Sequence, residues 1–114
     1  MSTKRRSSEG KRAALFAALG DETRLMLLRR LNGGKRCSIA ELTQGTSLTR
    51  QAVTKHLRTL ERVRIVHARQ EGRERLFEFD PQPVAEMRDF LDQVSRHWDD
   101  ALLRLKSFVE TNKI

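Results

Sequence analysis

The sequence is poor in the residues that brace small proteins covalently: it has a single cysteine, Cys37, no tyrosine, one tryptophan and only two prolines. One cysteine cannot close an internal disulfide, which sets aside the cross-linked scaffolds of small secreted domains. No stretch approaches the roughly 20 apolar residues that span a bilayer. The polar, basic start, Met1-Ser-Thr-Lys-Arg-Arg6, lacks the apolar segment of a signal peptide, so a cytoplasmic location is expected. Paired carboxylates set for acid–base work, a glycine-rich phosphate loop and a nucleophile elbow are also missing. Neither an enzyme nor a cofactor is expected, and Asp99-Asp100 reads as a solvated helix face.

What the chain has in excess is positive charge. The formal net charge is +8, with 33% charged residues in 114. The excess is uneven: residues 1–12 carry +4, 13–45 carry +2, 46–75 carry +5 and 76–114 carry −3. A basic block followed by an acidic segment suggests one face for a polyanion and another for a different contact. A single domain of this length gains little stability from its own burial, so a partner chain would help.

Periodicity divides the chain into short elements. Residues 1–10 read as a disordered basic arm and 11–80 as the main domain, with 81–114 a long helix belonging to the same compact domain. Ala13 to Leu19 is a short helix stopped by Gly20, a residue suited to left-handed backbone. Asp21 can cap the next helix, in which Leu25, Leu28 and Leu31 recur at helical spacing until Asn32-Gly33-Gly34. Ser38-Ile-Ala-Glu41 is a capping box opening two turns of helix before Gly45. From Thr49 to Arg62 an amphipathic helix buries Ala52, Val53, Leu57 and Leu60. The period then falls to about 2: Ile65–Arg69 and Arg73–Phe79 read as strands around Gln70-Glu71-Gly72. After Pro81 and Pro83 one helix runs from Val84 to about Thr111.

A short capped helix, a tight turn and a helix with a polar, basic outer face make a helix-turn-helix. The buried stripe anchors the second helix, so its outer face can enter a major groove. Thr49, Arg50, Gln51 and Thr54 stand where side chains read base edges: Arg pairs with guanine and Gln with adenine. Lys55 and Arg58 suit phosphates. In the hairpin, Arg69, Arg73 and Arg75 flank the glycine, with Arg73 the tip contact. The last helix repeats every seven residues, Val84, Leu91, Trp98 and Leu105 on one position and Met87, Val94, Ala101 and Phe108 on the other, a seam for a partner helix. The fold class expected is mainly α with a small β-hairpin.

The runs Ala18 to Leu31, Ser38-Ile-Ala-Glu-Leu42, Leu48-Thr-Arg-Gln-Ala-Val-Thr-Lys-His-Leu57 and Glu71-Gly-Arg73 resemble the ArsR/SmtB family of prokaryotic winged-helix repressors, over roughly residues 11–110. The resemblance implies a homodimeric repressor of double-stranded DNA with a pseudo-palindromic operator, Thr49 to Arg58 as recognition helix, and residues 65–79 as wing. It also implies a dimer built by the first and last helices, which brings Leu15 and Phe16 to the seam. The metal-site patterns of the family are not matched. Ser38 and Ala40 stand where metal sensors carry two cysteines, and His97 has Ser95 two before it and Phe108 where a second histidine would stand, so no metal is expected. Arg64 stands where many members have glycine.

Other readings stay open at this level. A winged scaffold could serve as a protein-interaction module without DNA, or as a metal-dependent repressor with an atypical site. Cys37, after Lys35 and Arg36 and before a helix N-terminus, has surroundings that favour a thiolate, so redox sensing stands beside an ordinary thiol. His56 is either a packing or a phosphate-facing histidine; His67 and His97 are isolated in sequence.

Overall fold

The computed structural model describes the backbone of residues 2–112 and the side chains of residues 8–112. In chain order it runs α1 (Ser2–Leu19), α2 (Glu22–Arg30), α3 (Ile39–Thr43), α4 (Arg50–Arg62), β1 (Val66–Glu71), β2 (Glu74–Phe79) and α5 (Pro81–Thr111). The fold is mainly helical with one antiparallel hairpin. The chain divides into two compact units, Met1–Val84 and Ala85–Ile114, with the division one turn into α5. Among the described residues no helix is long and apolar enough to cross a membrane.

The first unit is held by one apolar core. Leu27, Leu31, Leu42, Val53, Leu57, Leu60, Ile65 and Val66 are fully buried, joined by Ala18, Cys37 and Phe77. Each such side chain contributes on the order of 1.5–3 kcal/mol by leaving water. Val53, Leu57 and Leu60 recur at helical spacing, which fixes the rotation of α4 and turns Arg50, Gln51, Lys55 and Arg58 outward.

The ends of the helices follow local chemistry. Asp21 caps α2 by accepting from the Arg24 amide at 3.0 Å. Ser38 and Glu41 close the capping box of α3 in both directions. The Thr49 hydroxyl accepts from the Ala52 amide at 3.1 Å and caps α4. Asp80 accepts from the Gln82 amide at 3.0 Å with Pro81 between them. A proline at the first helical position lacks only an N–H that would have no partner. Both prolines therefore lie inside α5, which begins at Pro81 and not at Val84.

Several expectations are corrected. Helix α1 starts at Ser2, so Ser2–Gly10 belong to a helix rather than to the disordered arm; Met1 lies outside the described residues. Lys, Arg and Glu are good helix formers and no proline intervenes, but a polar helix carries no apolar period to announce it. Gly20 ends α1 without left-handed backbone. Instead Arg24 reaches back and donates to the carbonyls of Ala18 (Nε, 2.6 Å) and Ala17 (Nη2, 3.3 Å). Leu27 in α2 and Leu31 at its C-terminal cap are the buried pair, while Leu25 is exposed. The hairpin turns at Gly72-Arg73 rather than around Gln70-Glu71-Gly72, with Gly72 at φ +61°. A glycine at the first of two turn positions suits the strand twist.

Candidate nucleic-acid interface

Helix α4 presents its polar side without hindrance. Arg50, Gln51, Lys55 and Arg58 are exposed, and among the described residues none of them makes a side-chain hydrogen bond or ion pair. With Thr49, Ala52, Thr54 and Ile39 they line one open groove. The two threonines are less free. Thr49 Oγ1 is occupied as the cap of α4, which leaves its own O–H to donate. Thr54 Oγ1 donates to the Arg50 carbonyl at 2.7 Å, so toward a ligand it offers a lone pair and a methyl group.

The same face extends beyond the residues singled out in the sequence. Gln51, Lys55, Arg58 and Arg62 lie at i, i+4, i+7 and i+11, a single stripe on one side of a helix. Arg62 is exposed and ends that stripe. The spacing alone could have found it.

The far end of α4 turns sharply. The Arg64 amide donates to Glu61 O at 2.9 Å and the Ile65 amide to Leu60 O at 3.1 Å, the paired bonds of a left-handed helix stop. Arg64 takes φ +65°, the one non-glycine at positive φ among the described residues. Where many family members have glycine, this backbone carries the strain of a left-handed L-residue.

The wing delivers one unencumbered arginine. Arg73 sits on the turn itself, exposed, with no partner among the described residues. Arg69 lies 3.6 Å from Glu78 Oε1. Arg75 lies on the opposite face of the hairpin, 3.6 Å from Glu61 Oε2 and over the Phe77 ring at 5.8 Å. Both pairs are loose and more than half exposed on the arginine side, so they are weak. The hairpin also acquires a third backbone partner: Cys37 exchanges two hydrogen bonds with Phe77, at 3.0 and 2.8 Å. Nothing in the local pattern around Cys37 signals that strand pairing.

Residues 10–69, more than half of the chain, match the family described as a helix-turn-helix domain. The HTH-type transcriptional regulator Rv2034 of Mycobacterium tuberculosis is 33% identical to this chain, over 84% of it and 86% of the relative. An ArsR-like transcriptional regulator from Rhodococcus sp. RHA1 superposes with a TM-score of 0.80 at 28% identity, covering 90% of this chain and 95% of that one. The chain belongs to the ArsR family of winged helix-turn-helix transcriptional regulators. A homodimeric winged helix-turn-helix DNA-binding domain, Mb0332 of Mycobacterium bovis, shares the fold at a TM-score of 0.68 and 20% identity, over 89% of this chain and 93% of its own.

As an ArsR-family protein the chain is a transcriptional regulator, not an enzyme. Three of its remaining candidate groups, Cys37, His56 and His67, take structural positions. Cys37 is buried, and burial pushes its thiol above the ordinary value, against the activated thiolate its neighbours in sequence suggested. His56 lies on the inner side of α4, with Nδ1 3.3 Å from Arg24 Nη1, a packing position rather than a phosphate-facing one. His67 Nε2 lies 2.8 Å from Asp80 Oδ2. Among the described residues no group of three or more His, Cys, Asp or Glu is placed to hold a metal ion.

The seam residues divide between the two units. Leu15 and Phe16 are half-buried, and Leu15 packs against the core of its own unit. Along α5, Leu91, Trp98, Leu105 and Phe108 are more than half exposed, together with Leu102 and Val109. Val84, Val94 and Ala101 are half-buried, and Met87 is buried.

Proposed function

We propose that this ArsR-family chain is a cytoplasmic homodimeric repressor that binds a pseudo-palindromic operator in double-stranded DNA through α4 and the wing. The observation that carries the reading is the exposed, unpartnered ridge of Arg50, Gln51, Lys55 and Arg58 above a fully buried stripe of Val53, Leu57 and Leu60. Unpaired cations on a rigid helix match a duplex, whose phosphates release counterions on neutralisation. Arg50 and Gln51, in the first turn, read base edges; Thr49 and Thr54 supply a hydroxyl donor and a methyl beside them. Lys55, Arg58 and Arg62 hold phosphates, with Arg73 reaching from the wing and Arg69 and Arg75 available in support.

The apolar side of α5, with Trp98 67% exposed and Phe108 66%, supports pairing with a second copy. A row of large apolar side chains at heptad spacing is stabilised by burial against a like helix. Two recognition helices would then lie about 34 Å apart, one turn of duplex. Repression follows from occupancy of the operator. Selection of bound sequences from random duplexes tests this directly. The expected outcome is a two-fold-related site whose preference relaxes in Arg50→Ala and Gln51→Ala; an unchanged preference in both variants overturns the base-reading assignment.

A further inference from the structure

The wing carries as many carboxylates as arginines: Glu71, Glu74 and Glu78 against Arg69, Arg73 and Arg75. It therefore brings no net charge to a polyanion. Glu71 and Glu74 stand directly opposite each other on the last pair before the turn, a repulsive arrangement of like charges. A phosphate approaching Arg73 would meet those carboxylates beside it.

Arg36, in the segment between α2 and α3, answers one of them. Its Nη1 lies 2.6 Å from Glu71 Oε1 and its Nε 3.2 Å from Glu78 Oε2. Glu78 has a second cation in Arg69, whereas Arg36 is the one cation paired with Glu71 among the described residues. The next residue, Cys37, is tied to Phe77 by two backbone hydrogen bonds, so a fixed segment delivers the guanidinium. The base of the wing is anchored without Arg36, because Val66 and Phe77 are buried in the core.

We propose that Arg36 is a positioning residue for DNA binding that acts through Glu71: it masks a carboxylate at the wing tip, so that Arg73 can approach the phosphate backbone. This rests on the DNA-binding reading above. A cycle of Arg36→Ala and Glu71→Gln, read by duplex affinity at low salt, tests it. Arg36→Ala is expected to weaken binding to every duplex by roughly five- to tenfold, the effect of one uncompensated charge near phosphate in water. The loss shrinks as added salt screens it. Glu71→Gln alone should bind tighter than the wild type by a similar factor, and the double variant should bind like the wild type, because the two charges offset each other. A double variant as weak as Arg36→Ala would mean that Arg36 meets DNA itself and overturns the proposal. So does a loss in Glu71→Gln alone as large as that in Arg36→Ala, which would mean that the pair orients the wing. A wild-type protein that binds no duplex under any of these conditions sinks the DNA reading along with it.

Discussion

Arg24 Nη1 lies 3.3 Å from His56 Nδ1 on the inner side of α4, while the same guanidinium closes the end of α1. One side chain thus joins α1, α2 and α4, and the same His56 nitrogen lies 3.8 Å from Asp21 Oδ2. Charged donors on backbone carbonyls contribute more than neutral ones. Arg24→Ala is expected to lower stability by about 1–2 kcal/mol, read as a reduced urea midpoint with unchanged slope. A midpoint equal to the wild type would show that water replaces the guanidinium without loss.

Arg64 offers the opposite case, a residue whose replacement should help. Its φ of +65° costs an L-residue about 1 kcal/mol that glycine does not incur. Arg64→Gly should therefore raise the melting temperature by about 4 °C. A lower melting temperature would mean that the arginine side chain contributes more than its backbone costs.

Two carboxylates give the protein an acid limit. The Gln82 amide, and next His67, hold the Asp80 carboxyl below its ordinary value of 3.8. The Arg24 amide does the same for Asp21. A carboxyl with a depressed folded value stabilises the fold above pH 3.8, and the contribution disappears as pH falls through the folded value. Denaturant midpoints should accordingly decline below about pH 4. Asp80→Asn keeps a capping side chain but removes one titrating group, so its acid decline should be shallower. An identical decline in the variant would remove Asp80 from this account.

The phosphate assignments predict a change in salt dependence. Lys55→Ala and Arg58→Ala should each weaken binding to all duplexes alike and reduce the slope of log affinity against log salt by about 0.9. Selectivity between operator and random duplex should stay the same. A slope that does not move would place these side chains away from the backbone.

Trp98→Glu puts a charge where the last helix is expected to meet its copy. Sedimentation should show a monomer, and operator affinity should fall by about a hundredfold or more as bivalent binding is lost. A variant that stays dimeric would move the seam elsewhere on the chain.

The sequence by itself determined the order of elements, the helix starts at Asp21, Ser38 and Thr49, and the outward stripe of α4, because each depends on residues within a turn or two of one another. At Arg64 the resemblance marked a departure from glycine, but the folded backbone decided that the helix stop stays left-handed there. Tertiary structure alone decided which arginines stay free. Arg24 and Arg30 look like surface charge, yet Arg24 closes α1, and Arg30 donates at 2.6 Å to Gln44 O at the end of α3. Arg36 meets Glu71, which is 35 residues away. Arg69 and Arg75 are drawn to carboxylates that no local pattern pairs with them. Local chemistry sets where a helix begins and which face it buries; the partner of a long, flexible cation is set by whatever the folded chain brings within its reach.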